Sequence, residues 1–263
     1  MSPLDQAYHA MQTGDEAAAL RFYRFLADAP LFLLLQHEAE GDQIAPQVYE
    51  LSDGPVLLAF DSEERLAAFA EGPASYANLP GRVIAGQMAG QNMRQGLWLG
   101  LNLGTGAASE TLLPPEAMQH LLTLLDVAPE QTEARPHSFA APDLPAALDE
   151  TLQAAFARLS GLAVAAVLAG VTYETRGRGH VLAIIGSQAA AEPALARAIA
   201  EALAFAGLEA ATLDVTFMAP EDPGLAQMAQ LGRVYEVPAP VAAPEAAIPT
   251  APGSDPAKPP KLR

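Results

Sequence analysis

At 263 residues, 51% of them hydrophobic, and with no cysteine, the chain is long enough to bury two cores and offers no disulfide, thiolate nucleophile or sulfur ligand. Its 31 acids against 14 bases give a net charge of -17, which repels phosphate backbones and anionic lipid and so argues against nucleic acid and membrane as partners. Both lysines, Lys258 and Lys261, lie in the C-terminal tail, which removes Schiff-base chemistry from the folded body.

Met1 to Ala10 lacks the basic and apolar regions of a signal peptide, and the longest apolar stretch, Leu159 to Tyr173, is too short to span a bilayer. A cytoplasmic protein is expected. Thr13 and Glu16 have the spacing of a capping box, and Ala19, Phe22, Tyr23 and Leu26 follow at helical spacing, predicting a helix from about Asp15 to Ala27. Leu31–Leu35, Gln47–Leu51 and Val56–Phe60 read as strands, the last two an antiparallel pair joined at Ser52-Asp53-Gly54.

Asp61 and Glu64 repeat the capping-box spacing before a helical stripe of Leu66, Phe69 and Ala70. Acids at a helix start are favoured in the ionised form by the helix dipole, so capping takes precedence over acid–base catalysis for Asp61, Glu63 and Glu64. Tyr76-Ala-Asn-Leu-Pro-Gly-Arg82 reads as a turn that presents an aromatic ring and a guanidinium. Two readings of it stay open: Arg82 pairs with a local acid such as Asp61 or Glu64, or the turn is a recognition surface.

Arg82 to Ala89 is predicted helical, Leu97 to Leu101 alternates as a strand, and Pro114 to Asp126 is a helix with proline at its start. The glycine-rich segment from Gly100 to Gly106 has neither the spacing nor the lysine of a phosphate-binding loop, so it reads as a turn. Residues 129–143 hold three prolines and no periodicity, as in a linker.

A helix opens the second unit. Strands over Leu162–Val171 and Val181–Ile185 flank a hairpin turn containing Arg176-Gly-Arg-Gly179, whose arginines read as solvated rather than anion-binding. A helix over Pro193–Ala206 ends at Gly207, Leu213–Phe217 alternates as a strand, Pro223–Leu231 is a short helix and Arg233–Val237 an edge strand. Eight of the last 26 residues are proline, so 238–263 is expected to be a disordered tail with a passive solubilising role; a partner-binding role is the alternative. The expected fold class is therefore α+β: two small mixed domains, 1–128 and 144–237, joined by a linker at 129–143.

The five histidines are too scattered for a zinc site and no serine sits in a nucleophile elbow, so the residues predict no catalytic centre, metal or cofactor. The stretches FYRFLADAPLFLLL from Phe22, GPVLLAFDSEERLAAF from Gly54, YANLPGR from Tyr76, GLWLGLNLGT from Gly96 and LLPPEAM from Leu112 resemble the SseB family, named for enhanced serine sensitivity and unrelated to the secretion translocon of the same name. Residues 144–236 resemble its C-terminal domain by pattern and order. The resemblance implies a bacterial cytoplasmic protein of two α+β domains and supplies no catalytic residues. The leading expectation is a non-enzymatic binding protein that presents Asp61, Arg65, Tyr76, Arg82 and Asn102 to a protein or small polar ligand; the alternative is an enzyme of amino-acid metabolism.

Overall fold

The computed structural model describes residues 1–239 apart from 40, 42, 53, 71, 93–95, 127–128, 130–132, 145, 176 and 209–212. The expected tail lies outside the described residues, except for its first two positions.

Two helices open the chain, α1 (Pro3–Thr13) and α2 (Glu16–Asp28). The first begins at a full capping box: Ser2 Oγ accepts from the Asp5 N–H and the Asp5 carboxylate accepts from the Ser2 N–H, with Pro3 in the first turn where its missing donor costs nothing. At α2 the cap is Asp15, whose side chain accepts from Ala18 N, so the expected Thr13 capping box does not form. The Thr13 hydroxyl instead donates to the His9 carbonyl.

Strands β1 (Pro30–Leu34), β2 (Val48–Leu51) and β3 (Gly54–Phe60) follow, then α3 (Glu63–Ala70), β4 (Tyr76–Pro80), α4 (Gly81–Asn92), β5 (Trp98–Leu101), β6 (Thr111–Leu113) and α5 (Pro115–Leu125). Residues 76–82 are therefore not a turn. Tyr76–Pro80 pairs antiparallel with all of β1, and the chain then bends straight into α4. Nothing in the segment's own residues signals a strand; its partner, Pro30–Leu34, imposes it.

The sheet runs β4-β1-β3-β5-β6. β3 is its axis: β5 lies parallel on one side, while β1 and β2 share the other, pairing with Ala59–Phe60 and Gly54–Leu57 respectively. Strict alternation along β3 sends Leu57 and Ala59 to a core under α1, α2, α4 and α5, and Val56, Leu58 and Phe60 to a second core under α3.

The second sheet holds β7 (Pro136–Ala140), β8 (Ala165–Tyr173), β9 (Gly177–Ile185), β10 (Asp214–Met218) and β11 (Arg233–Glu236), with helices α6 (Ala146–Arg158), α7 (Glu192–Phe205) and α8 (Pro223–Leu231). β8 and β9 form the expected hairpin, β10 lies parallel to β9, and β7 and β11 divide the far edge of β8 between them. β7 lies within the stretch read as a linker. Its Phe139 packs into the core under α8, a long-range contact that the three prolines concealed. α6 and α7 cover the opposite face of this sheet. The architecture is α+β with two mixed sheets.

The two sheets meet through helices. Phe205, at the end of α7, sits 5% exposed in the first sheet's core, and Arg82 on α4 donates to Glu201 on α7 at 2.8 and 3.1 Å. Arg82 and Arg158 both pair with Asp28, so a four-residue charge cluster spans α2, α4, α6 and α7. Arg82→Ala leaves a largely buried Glu201 without its partner. We expect it to cost about 1–2 kcal/mol, between the ~0–1 of an exposed pair and the ~3–5 of a buried one. Thermal unfolding checks this, and an unchanged midpoint would show that the cluster contributes nothing.

Candidate functional site

Asp61, Arg65 and Asn102 converge on one cluster. Asp61 follows β3, Arg65 sits in the first turn of α3, and Asn102 follows β5, so the three lie on neighbouring elements at the same end of the parallel β3–β5 pair. Ser62 caps α3, accepting from the Arg65 N–H at 3.3 Å, which frees the Asp61 carboxylate for longer-range partners. The expected Asp61 capping role thus belongs to Ser62.

Three residues complete the cluster that sequence reasoning missed, Ser2 at the N-cap of α1, Asp5 on α1 and Ser109 before β6. Arg65 grips Asp5 with both nitrogens at 2.6 and 3.2 Å and reaches Asp61 Oδ1 with Nη1 at 2.6 Å. Ser2 Oγ donates to Asp61 Oδ2 at 2.5 Å, while Ser109 donates to Asp5 Oδ1 through its N–H at 3.1 Å and its hydroxyl at 2.6 Å. Asn102 closes the ring: its Oδ1 accepts from the Asp61 N–H at 3.0 Å and its Nδ2 donates to Ser109 Oγ at 2.8 Å.

Asn102 adopts φ +52, the left-handed region that asparagine tolerates better than other side-chain-bearing residues. That conformation lets the chain leave β5 while the amide points back into the cluster.

Asp5, Asn102 and Ser109 are 1%, 0% and 0% exposed. Burial alone pushes the Asp5 carboxyl up, but hydrogen bonds from Arg65, Ser109 and Ser2 outweigh it and hold the group well below the usual carboxylate range. Hydrogen bonds donated to Asp5 push the Arg65 guanidinium up in turn, against the effect of its own burial. Asp5 is thus ionised at neutral pH with both oxygens filled, and Ser109 commits its proton to Asp5 and a lone pair to Asn102. These groups tie α1, α3 and the loop after β5 to the sheet; they are not poised for proton transfer or nucleophilic attack.

Tyr76 and Arg82 lie elsewhere. The Tyr76 hydroxyl donates to Glu63 at 3.0 Å, a bond that raises the phenol's pKa, and its ring meets Phe32 at 5.5 Å while remaining 39% exposed on the edge strand β4. Arg82 is engaged with Asp28 and Glu201, not with Asp61 or Glu64.

The glycine-rich loop does hold an anion, its own. Gly104 and Gly106, with φ +74 and +67, donate their N–H groups to the Glu110 carboxylate at 3.0 and 2.9 Å. The turn reading of Gly100–Gly106 thereby acquires a partner that spacing did not reveal.

Among the described residues, no group of three or more His, Cys, Asp and Glu is placed to hold a metal ion, and no helix is long and apolar enough to cross a membrane. Neither a curated protein nor a solved structure matches the chain. Residues 4–120 match the family model of the SseB protein N-terminal domain. The match takes in the whole first sheet, the Asp5–Arg65–Ser109 cluster, Tyr76 and Arg82, and the chain thus carries the N-terminal domain of the SseB family.

Proposed function

We propose that the protein is a non-enzymatic binding or adaptor protein of the bacterial cytoplasm, built of two units, 1–128 and 144–237, the second being the family's C-terminal domain. The growth phenotype in the family name connects its action to serine-related metabolism. The observation that carries this reading is the mutual saturation of the Asp5–Arg65–Ser109 cluster, whose carboxylates, guanidinium, amide and hydroxyls are bonded to one another. Asp61, Arg65 and Asn102 then act by fixing a scaffold, and Arg82 by holding it against α7.

The presenting surface is the edge strand β4, where Tyr76 offers an exposed ring beside Glu63, and where the outer side of the strand leaves backbone donors and acceptors for an added strand. Tagged wild-type protein should retain a defined protein from native lysate, and Tyr76→Ala should lose it with unchanged circular dichroism and melting temperature. Equal retention by the two forms would remove β4 from the proposal, and no specific retention at all would remove the adaptor reading.

A further inference from the structure

Residues 1–239 contain 29 acids and only 11 bases, yet four of those bases, Arg21, Arg24, Arg82 and Arg158, gather where α2 meets α6 and α7. Three are matched. Arg82 and Arg158 share Asp28, Arg82 also holds Glu201, and Arg21 reaches Glu150 at 3.6 Å across an open, solvated gap.

Arg24 is different. It is partly buried, its Nη1 makes only a long 3.4 Å bond to the Thr151 hydroxyl on α6, and among the described residues no carboxylate lies within ion-pair distance of it. Its guanidinium rests 5.2 Å from the centre of the Phe25 ring. Burial, and then the charges of Arg158 and Arg21, push its pKa down, and the Glu150 carboxylate offsets them only in part.

Arg21 and Arg24 are three residues apart on α2, so they share a face, and both line a small cleft together with Ala17, Glu150, Thr151, Phe205 and Ala206. The apolar Phe205 and Ala206 in its lining lower the local dielectric and strengthen any charge pairing made beside them. A partly buried cation beside two others is an unfavourable arrangement unless an anion completes it.

We propose that this cleft binds a small oxyanion, a carboxylate or phosphate group, on the forked donors of Arg24 and Arg21, beside Thr151 on α6. The guanidinium fork matches either group in bidentate fashion. Glu150 competes for Arg21 and sets a limit on affinity. Because the cleft is built from α2, α6 and the end of α7, occupancy stabilises their contact and raises the stability of the whole chain.

The test is thermal unfolding of the full chain in inorganic phosphate, acetate or chloride at matched ionic strength, with titration calorimetry of phosphate and acetate. Phosphate or acetate should raise the melting temperature with dose above the chloride baseline, and whichever does so identifies the oxyanion. Arg24→Gln should abolish that gain, weakening binding about tenfold or more, as expected for loss of a charged hydrogen bond. In chloride the same variant should be at least as stable as wild type, because it relieves repulsion from Arg158 and Arg21; a merely structural arginine would instead leave a less stable protein. Glu150→Gln should tighten binding several-fold by releasing Arg21. No shift beyond chloride in wild type, or an equal shift in Arg24→Gln, overturns the proposal. Should Arg24→Gln fail to fold, Arg21→Gln with calorimetry decides on the same terms.

Discussion

Arg65→Ala is expected to cost about 3–5 kcal/mol of folding stability, the range for removing one partner from a buried ion pair. The guanidinium answers Asp5 and Asp61, whose side chains are 2% and 4% exposed, so its loss strands two carboxylates rather than one. Arg65→Lys should recover only part of the loss, since an ammonium cannot reproduce the fork that spans Asp5 and Asp61 together. Denaturant unfolding measures both. A loss below about 1 kcal/mol for the alanine variant would place the cluster with ordinary surface pairs.

Acid tests the same group from the other side. The Asp5 carboxyl is held below its unfolded value of roughly 3.9, so the stability it contributes is fully present above that pH and is lost as pH falls toward the folded value. Asp5→Asn should therefore be less stable than wild type at neutral pH, and the gap between them should narrow below about pH 4. A constant gap would mean that Asp5 titrates no differently in the folded chain.

The second large effect is expected at Gly81, where β4 turns into α4. A Cβ built there would stand 1.9 Å from the Leu26 carbonyl oxygen, and that obstacle is backbone that cannot swing aside. Gly81→Ala should cost at least the upper end of the ~1–3 kcal/mol typical of overpacking, or prevent folding. Gly86, one turn further along the exposed side of α4, has nothing within 4 Å of the same position. Gly86→Ala should accordingly stabilise the helix by about 0.5–1 kcal/mol, and equal behaviour of the two variants would contradict this packing of α2 against α4.

Periodicity located most of the elements because it reports a local fact, which side of a segment is apolar. The helix after Asp15, the β2–β3 pair, the β8–β9 hairpin and the helix ending at Gly207 were all legible in that way. β4, β6 and β7 were not, since short strands of mixed composition are defined by the partners that hold them. α1 did leave a local sign, because Ser2-Pro3-Leu4-Asp5 is a capping box with aspartate in place of the usual glutamate.

The site divided along the same line. Asp61, Arg65 and Asn102 are expected together from the sequence, and the fold does join them in one cluster. Asp5 and Ser109, 104 residues apart in sequence, join them only in the folded chain, and no spacing announces that contact. Arg82 stood out as a scarce base in an acidic stretch, but its partner Glu201 lies 119 residues away.

The central claim is that the buried cluster maintains the scaffold while the exposed β4 edge does the binding, and one paired experiment separates the two roles. Capture from native lysate is quantified for Ser109→Ala and Tyr76→Ala, with the melting temperature of each. Ser109→Ala removes a hydroxyl that bridges Asp5 and Asn102, so it should lower the melting temperature and leave capture intact at temperatures where it is folded. Tyr76→Ala should do the reverse. Loss of capture in a folded Ser109→Ala, with Tyr76→Ala binding as wild type, would place the function in the cluster and contradict the account.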